Sequence, residues 1–181
     1  MKATGIVRRI DDLGRIVIPK EIRRTQRIRE GDPMEIFTSH EGEIMLKKYS
    51  PIGELAEFAS DYAESLAQVT GGMACVTDRD IVIAAAGPKK SEYEGKPLTK
   101  ELERLMEQRG TIQGNIEAGT YIKLVVNESG EFPNEAVSTI ICNGDCIGAV
   151  ALCGGHESKW KDKSILQLVQ TAGKFLGKQL E

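Results

Sequence analysis

Between Val7 and Arg24 the chain reads V-R-R-I-D-D-L-G-R-I-V-I-P-K-E-I-R-R, five arginines and one lysine threaded through spaced isoleucines and valines. Cations in this density neutralise phosphates and hold a protein on a nucleic-acid backbone. Asp11 and Asp12 are adjacent in a turn between two apolar runs, and read as turn formers rather than as a catalytic pair. The four cysteines, Cys75, Cys142, Cys146 and Cys153, all follow residue 70. Cys142 and Cys146 bracket a three-residue turn, where a cross-hairpin disulfide or half of a metal site is conceivable. No Cys-x-x-Cys occurs, however, and His40 stands far from them in the sequence, so no metal is expected and the thiols read as small buried hydrophobes. No Ser-His-acid spacing and no glycine-rich phosphate loop is present, so neither a catalytic set nor a cofactor is expected.

The elements that must carry these arginines are short. Gly5 to Ile10 and Arg15 to Ile18 have the β-branched content of strands, joined by the turn D-D-L-G. Pro19 suits the first turn of a helix that Lys20 to Arg24 continue and that should stop near Ile28. After the R-E-G-D-P turn, Met34 to Ser39 and Glu43 to Lys48 form a hairpin about His40-Glu41-Gly42. About fifty residues bury too little surface to stand comfortably alone, so a homodimer through residues 1–50 is expected.

Ser50-Pro51 marks a change of period and a second domain over residues 51–181. A linking helix over residues 52–70 places Ile52, Leu55, Ala59, Tyr62, Leu66 and Val69 at heptad spacing. Strands follow at Met73 to Thr77 and Ile81 to Ala86, then a polar loop from Gly87 to Pro97 and a helix from Thr99 to Gln108. Further strands are expected at Thr111 to Ile116, Tyr121 to Val126, Val137 to Cys142 and Cys146 to Cys153, with a loop from Asn127 to Ala136. A closing helix from Ser158 to about Gly177 completes an α+β domain with its helices on one face of the sheet.

Charge divides the chain in the same place. The net charge is −3, from 24 basic and 27 acidic residues; residues 1–49 hold 11 and 8 of these, a balance of +3, and the remaining 13 and 19 leave −6. A polyanion is drawn to the first part. No apolar run approaches the roughly 18 residues that span a bilayer, and Met1-Lys2 opens no secretory signal, so the cytoplasm is the expected compartment.

The stretch G-I-V-R-R-I-D-D-L-G-R-I-V-I-P-K-E-I-R-R, followed by I-R-E-G-D-P-M-E-I, resembles the AbrB family of transition-state regulators. The resemblance implies an all-β swapped-hairpin barrel, dimeric, with a short looped-hinge helix, that binds double-stranded DNA. By motif position it implies Arg8, Arg15, Arg23 and Arg24 as DNA-binding residues. Lys2, Arg9 and Lys20 are further candidates for phosphate contacts, because lysine and arginine hold a protein on the backbone without reading sequence, and Arg27 adds charge beside them. Where that family commonly reads T-L-G-I, this chain has Thr25-Gln26-Arg27-Ile28. Arg27 must then take the cap conformation itself or let the helix run on. The order of elements after residue 50 resembles a GAF domain. Together the two modules resemble regulators of forespore genes in endospore formers, which implies a transcription factor assembled as a homotetramer through its GAF-like domain and helices 52–70 and 158–177. A small-molecule ligand for that domain, or a purely structural role, stay open at this point. The alternative reading is a GAF-type thiol redox enzyme or redox sensor fused to a DNA-binding module.

Overall fold

The computed structural model describes residues 5–157, 160 and 162–181. The chain divides into two compact units, Met1–Tyr49 and Ser50–Glu181.

The first unit contains helix α1 (Lys20–Thr25) and the antiparallel pair β1 (Met34–Thr38) and β2 (Ile44–Lys48), registered from Met34 opposite Lys48 to Thr38 opposite Ile44. The tip is closed by Ser39, whose Oγ accepts from the amides of Glu41 and Glu43, and by Gly42 at φ 80°. Among the described residues, the strands expected at Gly5 to Ile10 and Arg15 to Ile18 do not form. A strand persists only where its backbone groups find a ladder partner, and two short arms around one turn supply too few. Their side chains stay in solvent, Val7 being 85% and Val17 71% exposed.

The second unit is a five-stranded antiparallel sheet in the order β4-β3-β7-β6-β5, with β3 (Met73–Thr77), β4 (Val82–Ala86), β5 (Thr111–Asn115), β6 (Asn134–Cys142) and β7 (Asp145–Gly154). Helices α2 (Pro51–Glu54), α3 (Ala56–Thr70), α4 (Lys100–Glu107) and α5 (Lys163–Gln179) surround it. All helices were expected on one face. Instead, α3 and α5 cover the face that presents Ala74, Val76, Ile140 and Val150, while Leu102 and Met106 of α4 pack with Cys75, Val137 and Ala151 on the other. The cause is legible in β3, which is buried at every position; such strands need a layer on both sides.

Four boundaries differ from expectation. The linking helix breaks at Leu55, where the chain turns between α2 and α3, and the buried positions of α3 are Ala59, Ala63, Leu66, Ala67 and Thr70, so Val69 is left 79% exposed. That face follows the 3.6-residue period instead of the heptad. Residues 121–126 form no strand beyond a single bridge between Leu98 and Val125. Their backbone donors are taken by side chains: Ile122 N–H donates to Glu135 Oε1 at 2.6 Å and Leu124 N–H to Glu128 Oε2 at 2.6 Å. Strand β6 starts at Asn134, shortening the loop expected from Asn127 to Ala136. The closing helix starts at Lys163, where Asp162 caps it by accepting from Ser164 N–H at 2.9 Å; residues 158, 159 and 161 lie outside the described residues.

Candidate nucleic-acid interface

The basic side chains of the first unit are carried by two local devices. The first is the Asp11 turn. Asp11 Oδ1 accepts from the amides of Leu13 at 3.0 Å and Arg15 at 2.7 Å, while Gly14 N–H donates to Asp11 O with Gly14 at φ 75°. The other carboxylate oxygen, Oδ2, takes Arg15 Nε at 2.8 Å in an ion pair whose arginine side chain is 70% exposed. The Arg15 amide, the Arg15 guanidinium and the Leu13 amide hold the Asp11 carboxyl below the usual range. Asp11 is thus more than the turn former the sequence suggested: it aims Arg15. Its spacing of four residues from Arg15 was the available signal.

The second device is the hinge helix. Pro19 is buried and precedes Lys20, fixing φ at the helix start; Glu21 stands in the first turn and Arg23 and Arg24 in the last, as the helix dipole favours. The helix ends in a complete Schellman motif. Ile28 N–H donates to Arg23 O at 2.7 Å and Arg27 N–H to Arg24 O at 3.3 Å. Arg27 occupies the left-handed position at φ 52°, where glycine is usual. Of the two outcomes open to Arg27, the chain adopts the cap conformation.

Arg8, Arg9, Arg15, Lys20, Arg23, Arg24 and Arg27 are all exposed, and Lys2 lies outside the described residues. Arg23, Arg24 and Arg27 are gathered on one short helix and its cap, and Arg8 with Arg15 on the arm around the Asp11 turn. Beside them an apolar groove of about 830 Å³ is lined by Ile6, Val7, Ile16, Ile18, Ile22 and Leu46 among others. Two residues that sequence reasoning missed complete the hinge: Asp32 and Lys48. Asp32 Oδ2 accepts from Arg29 N–H at 2.7 Å, and Lys48 Nζ pairs with Asp32 Oδ2 at 3.2 Å while donating to Arg27 O at 2.9 Å.

In the second unit the thiols are built for packing. Cys75 and Cys153 are fully buried; burial, with the Glu128 and Glu135 carboxyls nearby, pushes the Cys75 thiol up to about 12 and Cys153 upward as well. The Cys142 thiol donates to Leu180 O and that of Cys146 to Gly148 O, and all four cysteines are free. A thiol that resists ionisation is a poor nucleophile. Among the described residues no group of three or more His, Cys, Asp or Glu is placed to hold a metal ion.

Comparison with known proteins agrees with this division. Residues 7–54 match the family described as antidote-toxin recognition MazE, bacterial antitoxin, and residues 54–181 match stage V sporulation protein T C-terminal, transcription factor. The chain is 48% identical to stage V sporulation protein T of Bacillus subtilis (strain 168), over 100% of this chain and 99% of that protein. It is 59% identical to the transition state regulatory protein AbrB of the same organism, over 28% of this chain and 52% of that protein. The second unit shares its fold with the GAF domain of A. Aeolicus nlh2 in an inactive state, at a TM-score of 0.54 and 11% identity, covering 73% of this chain and 85% of that one. With residues 54–181 matching its C-terminal model and 48% identity along the whole chain, this chain, an exposed arginine set on an AbrB-like β-hairpin unit joined to a GAF-like α+β unit, belongs to the stage V sporulation protein T family of transcription factors.

Proposed function

We propose that residues 1–50 bind double-stranded DNA through Arg8, Arg15, Arg23 and Arg24, with Lys2, Arg9, Lys20 and Arg27 adding phosphate contacts, and that the chain regulates sporulation genes in the cytoplasm. The observation that carries this reading is the pair of devices that hold exposed arginines in place, the Asp11 turn and the capped hinge helix. No described helix is long and apolar enough to cross a membrane. In the full chain, Arg15→Ala and Arg23→Ala should each lower DNA affinity by roughly tenfold or more while sedimentation shows an unchanged oligomer. Wild-type affinity in both variants overturns the assignment.

The unit works as a homodimer in this reading. Ile6, Val7, Ile16 and Val17 expose apolar surface along the groove, and a second copy of the same arm offers matching apolar side chains to cover it. Residues 51–181 join dimers into a tetramer. Phe58, Tyr62 and Phe175 meet in one aromatic group on α3 and α5, with Phe175 41% exposed, and the exposed Val69 stands on α3.

A specific observation favours ligand sensing in addition. Lys89 pairs with Glu131, and the Tyr93 and Phe132 rings meet at 6.4 Å, so the loops after β4 and before β6 are fastened to each other. The buried Tyr93 hydroxyl and Glu135 Oε2 have no hydrogen-bond partner among the described residues. A small molecule that satisfied them would raise stability in proportion to its occupancy. Screening metabolites for a thermal shift of the full chain, with Tyr93→Phe as the control, tests this; shifts identical in both proteins, or none, leave assembly as the domain's role.

A further inference from the structure

We propose that Lys48 is a positioning residue for DNA binding: through its bond to the Arg27 carbonyl, it holds the hinge in the conformation that aims Arg23, Arg24 and Arg27. The proposal rests on the DNA-binding reading above. Arg27 has a left-handed backbone at φ 52°, which a side chain with a Cβ adopts reluctantly, and yet the Schellman bonds from Ile28 and Arg27 require it. Something must make up for the missing glycine. Lys48 Nζ reaches Arg27 O at 2.9 Å across 21 residues of sequence, a charged donor on the very peptide that is strained. Its ammonium is anchored in turn by Asp32 Oδ2 at 3.2 Å, and the Asp32 side chain is only 3% exposed.

The same carboxylate oxygen accepts Arg29 N–H at 2.7 Å, and Tyr49 N–H donates to Pro33 O at 3.0 Å beside it. The base of the hairpin, where Lys48 faces Met34, is therefore clasped to the residues that follow the helix. Lys48 is half-buried in this clasp, which suits a structural ammonium better than a phosphate contact.

The test uses the full chain and Lys48→Met, Lys48→Arg and Lys48→Met in an Arg27→Gly background, titrated with duplex DNA across several salt concentrations. Lys48→Met should lower affinity by roughly tenfold, on the scale of one charge-assisted hydrogen bond, with the slope of affinity against salt unchanged. Lys48→Arg should recover most of the loss. In the Arg27→Gly background, where the left-handed position needs no support, Lys48→Met should cost far less. Amide exchange of Ile28 should speed up in Lys48→Met while that of β1 and β2 stays as it was. Wild-type affinity in Lys48→Met, a slope reduced by about 0.9 as for a phosphate contact, or an equal loss in both backgrounds each overturns the proposal. A wild-type chain without salt-dependent affinity removes the DNA reading instead, and the exchange of Ile28 then still decides whether the clasp holds the hinge.

Discussion

The arm at residues 5–18 and strand β3 both carry apolar and β-branched residues, and these end at opposite extremes of burial. Val7 and Val17 lie open, while Met73, Ala74, Cys75 and Val76 are sealed from solvent. Apolar content states a demand for burial, and the number of layers within reach decides whether one chain can meet it. The second unit brings five strands with helices on both faces, enough to cover β3 from each side. The first brings one hairpin and a six-residue helix, and it leaves the demand outstanding. A unit of the second kind meets its demand from within; a unit of the first kind does not.

The sharpest way to break this contrast is a charge on the arm. Ile16→Lys is a surface change if the unit is complete, worth less than about 0.5 kcal/mol. If a second copy covers the arm, an unpaired buried ammonium results and the dimer should fall apart by sedimentation, a loss of several kcal/mol. The matching experiment in the sheet is Ile140→Ala, which should cost about 2 to 5 kcal/mol in chemical denaturation of the second unit, for loss of a fully buried side chain. Arg15 and Arg23 should keep their part in DNA binding in that variant.

A subtler asymmetry is electrostatic. Burial, reinforced by the nearby Glu128, pushes the Glu135 carboxyl up to about 8, against the pull of Ile122 N–H and from an ordinary value of 4.5. The folded state then holds a proton that the unfolded chain releases. Stability of the second unit should be highest at low pH on this account and fall as pH rises from about 4.5 to about 8, by a few kcal/mol at most. Glu135→Gln should flatten that slope; an unchanged slope assigns it to other groups. The smallest effect expected is at the hinge. Arg27→Gly, which removes a left-handed side chain, should raise the thermal stability of the first unit by about 0.5 to 1 kcal/mol even as it removes a cation from the proposed DNA face.

Much of the fold was legible because its signals are local. Pro19 announces α1, Gly42 the hairpin tip, and Thr99, whose Oγ1 accepts from Leu102 N–H, the start of α4. What escaped was set by partners distant in sequence. Residues 121–126 have the β-branched look of a strand, yet Glu135 and Glu128 supply their acceptors, and no period in the sequence reports that. The candidate interface residues divide the same way. Arginines on the arm and hinge stand out by composition, and Arg27 by the glycine it replaces. The Lys48 contact spans a turn and a whole hairpin and leaves no trace in either local pattern.

The Asp11–Arg15 pair has a consequence for how binding responds to salt. A lone arginine that meets a phosphate frees ions condensed on the DNA, and that release makes affinity fall as salt rises. Arg15 instead carries its own internal counterion, which sits in the turn at 2.8 Å and moves with the protein. Taking Arg15 onto a phosphate means exchanging one carboxylate for another anion, with Asp11 left close to the backbone. The gain of Arg15 on a phosphate is therefore offset in part by the loss of Asp11, and Asp11→Asn should tighten binding to all sequences at once while blunting the choice among them.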